Sequence, residues 1–500
     1  MLVVGGGPSG LFAATELARH GVRARVVERE RHPHHQARAT ALQPATLEIL
    51  QQAGLVDRVL DSSVHLGYAR VFNEGLTCMA ELAFAGAGCP WEFQCSLPQW
   101  RTEQILAGRL AELGGSVERG VTVLSVTERK DGVLVELEEA DGTARSVEVA
   151  WLIGAGGAHS ITRDSMAEEL AGSTYPAGAL AADVHVSCGL PRDGSALLAS
   201  PDGYVYLAPL PDERWITFVG DLDETEADIL ANDCSHDSVA AAIGRRIPDT
   251  VLTLDDVGWA STFRMHRRLV PRLADTRRFL LGDAGHLSSP FGGEGLNSGL
   301  HDAHNLAWKL ALQQRGHGRP GLVESFALER LTADRHVLQV SDRLQGLAHS
   351  SVEAARTGSF PAPPAPEDVL DLVRSRSMLD VSYAGSPLVG EHLAPGEPSL
   401  PSPGPGDRYP DRTSLTGPRH HLLLFGTAPD RDVTYLRRRW NGIVDVIQDP
   451  GDPRRAGLAA GGTILVRPDG YIGFRAAPAD HAGLSALDAH LDSYLAPASG

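Results

Sequence analysis

The feature that most constrains this chain is a glycine-rich loop between a short strand and a helix near residue 1. Leu2-Val3-Val4 is an apolar run typical of a buried strand, and Leu11 to His20 has a helical pattern. The loop between them has the G-x-G-x-x-G spacing, and Glu28 ends the next apolar run about 20 residues further on. This order of elements predicts a dinucleotide-binding α/β unit of the Rossmann type.

Each glycine of this motif has its own physical role. Gly5 allows the tight turn, Gly7 lets a pyrophosphate approach the main chain, and Gly10 lets the helix pack closely on the strand. Glu28 can accept hydrogen bonds from the hydroxyl groups of an adenosine ribose. The loop therefore favours a nucleotide cofactor over a purely structural turn.

A second strand, loop and helix of related character lies near residue 280. Phe279-Leu280-Leu281 reads as a buried strand and is followed by Gly282-Asp283. A glycine-rich loop comes next, and an apolar-periodic run from Leu300 to Leu310 predicts a helix. An acid at a strand end, a glycine-rich loop and a helix N-terminus together suit an anionic or polyol ligand.

The composition excludes several classes of protein. The 500 residues predict roughly two to four domains, and 42% hydrophobic with 22% charged residues is typical of a folded globular chain. A net charge of −18 argues against nucleic acid or an anionic membrane as a partner. No apolar run of about 18 residues and no signal-like segment is present, so a cytoplasmic protein is expected.

The five cysteines indicate neither a metal site nor a redox pair. They form no C-x-x-C motif, and none follows Cys234. His32, His34 and His35 share a polar loop without accompanying acids or cysteines in a ligand pattern, so we expect a solvated loop there. No metal site is predicted.

With these elements in place, the chain resembles the single-component flavoprotein aromatic hydroxylases, the para-hydroxybenzoate hydroxylase superfamily. Within it, the chain is most similar to the bacterial polyketide-tailoring branch. The resemblance rests on the N-terminal loop with Glu28, on Gly282-Asp283-Ala284-Gly285-His286, and on Pro290 to Asn297 with Asp302 to Leu306. It covers residues 1 to about 350, and the C-terminal part also fits.

The resemblance implies an FAD site built from both loops. Asp283 would bind the ribitol chain, and backbone groups of Leu296 and Asn297 would hold the isoalloxazine. Arg38 and Gln99 would contact the phosphate and ribityl region. Val123 would border the adenine, and Pro290 the reactive face of the flavin. The full set of expected cofactor residues is Gly5, Gly7, Pro8, Ser9, Gly10, Glu28, Arg29, Arg38, Gln99, Val123, Asp283, Pro290, Gly295, Leu296 and Asn297.

The substrate site is less well marked by the sequence. The residues expected near a flat polycyclic substrate are Trp91, Phe93, Tyr206, Phe218, Pro290 and Phe291. A phenolic substrate would need a proton acceptor, and Tyr204, Tyr206, Arg264 and His266 are candidates by location only, although a packing or surface role is favoured for each. No catalytic residue is identified.

Two positions depart from the pattern of the superfamily. The family usually carries Ala-Asp-Gly where this chain has Ala155-Gly156-Gly157, although Arg163 remains. Because that segment is implicated in cofactor and nicotinamide handling, the change bears on how NAD(P)H is used. Gly285, where alanine is usual, is a milder change.

The predicted fold class is α/β, with a discontinuous Rossmann-like FAD-binding domain, an inserted β-sheet substrate domain and a C-terminal thioredoxin-like domain without cysteines. The expected boundaries are 1–175 for the first part of the FAD domain, with 66–98 contributing to the substrate domain, 176–272 for the substrate sheet, 273–395 for the second part with its long helices, and 400–500 for the C-terminal domain. Helices are predicted from about Glu224 to Ile243 and from Leu322 to Leu347, and residues 394–410 read as a linker. Because no cysteine is available there for thiol exchange, the C-terminal domain is expected to have a structural or interfacial role.

The implied activity is hydroxylation of a polycyclic aromatic, polyketide-type substrate. NAD(P)H would reduce FAD, O₂ would add at the flavin C4a, and the hydroperoxide would transfer one oxygen atom to the ring. Two alternatives stay open: Baeyer–Villiger or ring-opening oxygenation on the same fold, and a flavin-binding protein without NAD(P)H-driven turnover, which Gly156 motivates. A monomer or homodimer is expected.

Overall fold

The structure is a computed structural model that describes residues 1–497 except 37–38, 74, 360–364, 399, 401 and 449. It has a mixed α/β architecture. The helices are α1 (Pro8–Arg19), α2 (Pro44–Gln52), α3 (Val56–Ser62), α4 (Gln99–Glu112), α5 (Ile161–Ser165), α6 (Glu224–Asn232), α7 (His236–Gly244), α8 (Glu294–Gln314), α9 (Ser325–Thr357), α10 (Pro366–Arg376), α11 (Asp430–Arg439) and α12 (His481–Tyr494).

Strands make up most of the remaining regular structure. They are β1 (Leu2–Val4), β2 (Arg25–Glu28), β3 (Ala41–Leu42), β4 (Val64–Leu66), β5 (Tyr68–Phe72), β6 (Cys78–Ala83), β7 (Gln94–Ser96), β8 (Val117–Arg119), β9 (Thr122–Glu128), β10 (Val133–Glu138), β11 (Ala144–Val149), β12 (Leu152–Gly154), β13 (Ala171–Cys188), β14 (Gly194–Ser200), β15 (Gly203–Pro209), β16 (Trp215–Leu222), β17 (Leu252–Leu269), β18 (Arg278–Leu280), β19 (His286–Leu287), β20 (Gly390–Leu393), β21 (His420–Phe425), β22 (Val444–Gln448), β23 (Gly462–Val466) and β24 (Ile472–Ala477).

The first sheet unites distant parts of the chain. It is five-stranded, in the order β18-β12-β1-β2-β8, and all its pairs are parallel. The strands β1, β12 and β18 are short and fully buried, as expected for a parallel sheet covered on both faces. Because β18 pairs with β12 across more than a hundred residues, the loops after β1 and β18 meet at the same edge.

The large inserted sheet is mostly antiparallel. Its eight strands run in the order β19-β17-β13-β16-β15-β14-β5-β6, with β14 and β5 parallel. The two longest strands, β13 and β17, pair along most of their length. Residues 68–83 supply β5 and β6, so this sheet also draws on the N-terminal part of the chain.

Two helix predictions differ from the structure. The single helix predicted from about Glu224 to Ile243 is wrong, because α6 ends at Asn232 and α7 begins at His236. The break follows from local polar chemistry: the side chain of Asp233 accepts the Ser235 N–H at 3.0 Å, and Ser235 then caps α7. The helix predicted over 322–347 is longer, running from Ser325 to Thr357 before Gly358 at φ +68°.

The C-terminal sheet is five-stranded, in the order β20-β24-β23-β21-β22, with α11 and α12 packed beside it. β23 and β24 form the antiparallel hairpin that the sequence predicts around Asp469-Gly470. β20, which precedes the proline-rich segment, also joins this sheet by pairing with β24. Across the described ranges, no helix combines the length and apolarity needed to cross a membrane.

Candidate cofactor and substrate site

The N-terminal loop has the geometry that its glycines predict. Gly5 has φ +112°, and a Cβ built on it would lie 2.2 Å from the carbonyl oxygen of Ala155. A Cβ on Gly10 would lie 2.0 Å from the carbonyl oxygen of Gly5. By contrast, a Cβ on Gly7 would have no protein atom within 4 Å. The first two glycines are required by the fold, whereas Gly7 borders open space above the helix.

The start of α1 faces that open space with its main chain. Gly7 is the N-cap and supplies no side-chain hydrogen bond, and Pro8 is the first helical residue. The N–H groups of the first turn, together with the helix dipole, favour a negatively charged group at this point. Glu28 fixes the loop from the side, since its carboxylate accepts the N–H of Gly6 at 2.7 Å and that of Glu30 at 2.8 Å.

The second loop delivers Asp283 and the start of α8 to the same edge. Gly282, with φ +58°, turns the chain after β18, and its N–H donates to the carboxylate of Asp302 at 3.0 Å. Asn297 fastens the other end of the loop: its amide donates to the carbonyls of Ala41 (2.8 Å) and Gly293 (2.5 Å) and accepts the N–H of Gln43 (2.9 Å). The loop is thus held at both ends by side chains of α8.

A buried ionic cluster lies beneath this loop. His286, Asp302 and Asp334 are close enough together to hold a metal ion, but the guanidinium of Arg330 already donates to Asp302 at 2.7 Å and to Asp334 at 2.9 Å. Burial disfavours the charged form of His286, yet the carboxylates of Asp334 and Asp302 raise its pKa to about 9. The cluster is therefore an ion-pair network that joins α8 to α9.

Both loops open into one cavity of about 840 Å³. Most of the expected cofactor and substrate residues line it: Gly5, Gly7, Pro8, Ser9, Glu28, Arg29, Gln99, Val123, Tyr206, Phe218, Asp283, Pro290, Phe291, Gly295 and Leu296. Its volume is within the range of small-molecule and cofactor sites.

Four predicted residues lie elsewhere. Gly10 and Asn297 are buried behind the cavity wall, where they shape the two loops. Trp91 and Phe93 do not line the cavity: Trp91 packs against the core, and Phe93 stacks on His65 with ring centroids 4.3 Å apart. Arg38 lies outside the described residues. Arg29 stands at the cavity with 62% of its side chain exposed.

The large sheet gives the cavity an aromatic wall. Tyr206 and Phe218 have ring centroids 5.9 Å apart, and Phe218 and Phe263 6.2 Å apart. Leu197 and Leu344 add apolar surface. Offset and edge-to-face rings of this kind suit contact with a flat aromatic molecule. Phe263 could not be identified from the sequence. It lies on β17, a long strand in which polar and aromatic residues do not follow the regular alternation of apolar and polar residues that marks a strand.

A few polar side chains stand out in this wall. Arg70, Gln94, Arg376 and Glu294 all line the cavity, and the guanidinium of Arg376 donates to the side-chain Oε1 of Gln94 at 3.0 Å. Glu294 is fully buried, and neither of its carboxylate oxygens has a hydrogen-bond partner among the described residues. Burial raises the pKa of Glu294 well above its ordinary value, and the nearby charge of Arg376 only partly opposes this.

The candidate proton acceptors are not among the lining residues, with the exception of Tyr206. Tyr204 is buried behind Phe291, with ring centroids 5.3 Å apart. His266 shares a 2.9 Å hydrogen bond with Thr174. Gly156 does line the cavity, and a Cβ built on it would lie 3.7 Å from its nearest neighbour. Steric crowding therefore does not explain why this chain has glycine where the family has aspartate.

Paired glycine loops at one sheet edge, two helix N-termini and an acid at each strand end define a dinucleotide site of the flavoprotein type, and these residues fit FAD. The chain belongs to the FAD binding domain family, which matches residues 1–341, and to the FAD-dependent monooxygenases of the aromatic hydroxylase superfamily. The resemblance seen in the sequence is confirmed.

Individual relatives match along nearly the whole chain. The 6-methylpretetramide 4-monooxygenase of Streptomyces rimosus is 32% identical, over 99% of this chain and 93% of that protein. An anhydrotetracycline hydroxylase structure, also from Streptomyces rimosus, is 28% identical with a TM-score of 0.77 and 99% coverage of both chains. A Diels-Alderase from pyrroindomycin biosynthesis is 26% identical with a TM-score of 0.73, again covering 99% of both chains.

Proposed function

We propose that this protein hydroxylates a polycyclic aromatic substrate of the polyketide type, with FAD as cofactor, O₂ as co-substrate and NAD(P)H as electron donor. The observation that carries the proposal is the single cavity that joins the two cofactor loops to the aromatic wall of the large sheet. Two full-length relatives are named for monooxygenation of 6-methylpretetramide and hydroxylation of anhydrotetracycline, which supports this substrate class.

In this proposal the cofactor lies along both loops. The N-terminus of α1 would hold the pyrophosphate, Glu28 and Val123 would border the adenosine, and Asp283 would hold the ribityl chain. Gly295 and Leu296, in the first turn of α8, would lie beside the flavin ring, where the helix dipole favours negative charge. FAD supplies the activation of O₂ and the transfer of one oxygen atom.

The protein contributes position and exclusion of water. Tyr206, Phe218 and Phe263 form one apolar wall for the substrate, and Phe291 borders the flavin loop. Leu197, Leu344 and Ala348 add apolar surface to this part of the cavity. Apolar surface around the reacting atoms would limit the access of water, which favours transfer of oxygen to the substrate over its loss to water.

The first experiment separates electron supply from oxygen transfer. Separate samples of the FAD-loaded protein are mixed with NADPH or with NADH in the absence of oxygen. Each mixture is prepared with and without a tetracycline-type polyphenol, and the absorbance of the flavin is followed. Bleaching of the flavin, followed in air by a product heavier by one oxygen atom, is expected. A flavin that stays oxidised under every condition would refute NAD(P)H-driven turnover.

A matched pair of variants tests the aromatic wall. Phe218→Ala removes a ring from the cavity and should raise KM for the polycyclic substrate about tenfold, because roughly 1–3 kcal/mol of apolar contact is lost. Phe93→Ala removes an aromatic residue that lies off the cavity and should leave KM unchanged. Equal effects of the two variants on KM would contradict the assignment of the wall.

Two other reactions at the same site would give different products. A lactone or ring-opened acid instead of a phenol would identify Baeyer–Villiger chemistry. A redox-neutral cyclisation is favoured by one observation, the full-length similarity to a Diels-Alderase. Turnover of substrate without consumption of NAD(P)H or O₂ would establish that reaction in place of hydroxylation.

The C-terminal region completes the proposal. We infer that residues 400–500 with β20 form a thioredoxin-like domain with a structural role, because α11 and α12 flank a mixed sheet in which β21 and β22 are parallel and β23 and β24 antiparallel. No cysteine follows Cys234 in the sequence, so thiol exchange has no nucleophile there.

A further inference from the structure

One part of the wall of the large cavity carries a buried positive charge. Arg376, the last residue of α10, is 5% exposed, yet it lines the cavity together with Gln94 of β7. Leu82 of β6 and Leu344 of α9 line the same cavity, and α10 packs on both of these elements. The charge therefore lies among elements that are not part of the parallel cofactor sheet.

The guanidinium of Arg376 has no negative partner in the described ranges. Its side chain donates one hydrogen bond, from Nη2 to Oε1 of Gln94 at 3.0 Å, and that acceptor is neutral. The Phe84 ring, 5.4 Å from the guanidinium carbon, and the C-terminal end of α10 favour a cation without neutralising it. Arginine stays protonated in proteins and is seldom buried unpaired, so an anion is expected to bind beside it.

The acidic residues of the neighbouring elements do not supply that anion. Glu294 is fully buried, which raises its pKa well above the ordinary value and favours its neutral form, and no ion pair joins it to Arg376. Asp380 already pairs with His336 at 3.1 Å. Glu81, on the adjacent β6, already pairs with an arginine of β5 at 2.6 Å. The charge of Arg376 is therefore left for a ligand to balance.

Two side-chain donors of this pair remain available to the cavity. Nη1 of Arg376 and Nε2 of Gln94 form no hydrogen bond with a described residue, and neither atom is closed off from the cavity. By contrast, Nε of Arg376 and both carboxylate oxygens of Glu294 are enclosed by protein. Because Oε1 of Gln94 accepts from Arg376, the amide is oriented with Nε2 as its free group. A guanidinium and an amide donor held together in this way suit an anionic oxygen atom.

We propose that Arg376 and Gln94 bind an anionic oxygen of the polycyclic substrate, either a carboxylate or an ionised phenol, and so select substrates that carry one. This inference rests on the proposed function, because it takes the ligand of this part of the cavity to be the molecule that is hydroxylated. A fixed cation also stabilises an ionised phenol, whose ring is richer in electrons, without a basic side chain at the site. Arg376 is thus a residue that determines substrate specificity.

The test measures equilibrium binding to the oxidised, FAD-loaded protein, without turnover. The probes are anthraquinone-2-carboxylate, the neutral anthraquinone-2-carboxamide, and 2-hydroxyanthraquinone, whose absorbance moves to longer wavelength when its hydroxyl group ionises. The carboxylate should bind at least about tenfold more tightly than the carboxamide. A shifted band of bound 2-hydroxyanthraquinone would identify an ionised phenol as a ligand, and carboxylate preference without that shift would identify a carboxylate alone. Equal affinity for carboxylate and carboxamide with no shifted band, or no saturable binding of either anion, would overturn the proposal.

Three variants make the result specific. Arg376→Gln should weaken carboxylate binding about tenfold or more and change carboxamide binding less than about twofold, which also shows that the variant is folded. Arg376→Lys keeps the charge but not the planar fork, so it should retain part of the preference. Arg374→Gln, at an exposed arginine of the same helix, should change neither affinity. If Arg376→Gln kept the full preference for the carboxylate and weakened FAD binding instead, the guanidinium would belong to the cofactor site and the proposal would fail.

Failure of this inference is distinguishable from failure of the proposed function. An oxygenated product formed by a protein that does not prefer the anionic probes would refute the anion site and leave hydroxylation in place. Preference for the anions, lost in Arg376→Gln, without any oxygenated product would refute hydroxylation and leave the anion site in place.

Discussion

At the scale of single residues, the glycines of the N-terminal loop divide into two groups. Gly5 and Gly10 are packed so closely against main-chain oxygens that no side chain can be added without moving the backbone. Gly7 has room on the protein side, and its importance depends on the ligand. The spacing of the motif alone does not distinguish the three glycines. Their packing shows that Gly5 and Gly10 are required for folding, whereas Gly7 is required for ligand binding.

This difference leads to a paired prediction. Gly7→Ala should fold with a Tm close to that of the unaltered apoprotein but bind FAD at least about tenfold more weakly, since the added methyl group occupies the path of the pyrophosphate. Gly10→Ala should lower the Tm of the apoprotein itself, because its Cβ would meet a carbonyl oxygen. Fluorescence titration with FAD and calorimetry of the apoprotein measure the two effects. A destabilised Gly7→Ala apoprotein would contradict the division.

Glu294 gives a prediction for pH dependence. Burial raises its folded pKa above the ordinary 4.5, so its contribution to stability is complete below that pH and is lost as pH rises through the folded pKa. Glu294→Gln keeps the shape and removes the titration. The free energy of unfolding of the variant, relative to that of the unaltered protein, should therefore increase as pH rises above about 4.5. Urea unfolding of both proteins at several pH values above 4.5 measures the difference between their free energies of unfolding. A difference that does not change with pH would show that Glu294 does not titrate in that range.

At the scale of elements, much could be predicted from the sequence where local signals agree. The strand, loop and helix around residues 2–19 and the hairpin of β23 and β24 could be predicted, because their periodicity and turn residues lie close together in the chain. The break between α6 and α7 could not be predicted, because it depends on which side chain caps the second helix. β17 was also missed, since its exposed face carries charged and aromatic residues in no simple alternation.

Helix α8 shows how one element supports the cofactor loop. Asp302 on this helix accepts from Gly282, His286 and Arg330, so a single carboxylate joins the loop to α9. Asp302→Asn should lower the free energy of unfolding by about 3–5 kcal/mol, because it breaks a buried ion pair. It should also weaken FAD binding, because the turn before Asp283 loses an ionic acceptor.

The matched control is Asp342→Asn on α9. Asp342 pairs with Arg267 at 3.3 Å, both side chains being more than two-fifths exposed, and it also accepts the Tyr175 hydroxyl at 2.6 Å. The exposed ion pair and this hydrogen bond together contribute about 1–2 kcal/mol, less than the buried cluster. Denaturant unfolding and FAD titration of both variants give the comparison. Similar losses in the two variants would show that the buried cluster is not the support of the loop.

At the scale of the whole molecule, the C-terminal sheet is joined to α8 and α9 by buried ions. Glu329 of α9 accepts from Arg467 at 2.6 and 2.8 Å and from Lys309 at 2.6 Å, and all three side chains are fully buried. Burial lowers the pKa of Lys309 to about 8, and the charge of Glu329 opposes that shift. Glu48 forms a second buried link with Arg408 at 2.6 Å.

These links could not be read from the sequence. Arg467 and Glu329 are 138 residues apart, and Glu48 and Arg408 are 360 apart, so no spacing rule brings them together. The proline-rich stretch predicted as a linker contains Arg408, which is only 9% exposed. A segment whose composition is typical of a linker thus also contains a residue that forms a buried ion pair with Glu48 of α2.

The joined domains should unfold as one unit. In the FAD-loaded protein we expect a single thermal transition, with flavin release and loss of the C-terminal sheet at the same temperature. Arg467→Met should lower that temperature without splitting the transition, because it leaves Glu329 and Asp469 short of one buried cation, at a cost of about 3 kcal/mol or more. Arg438→Gln, at the exposed surface, should have no effect. If calorimetry resolved two transitions, and the variant lowered only one of them, the C-terminal domain would be an independent unit, and the buried ions would serve docking rather than the stability of the cofactor site.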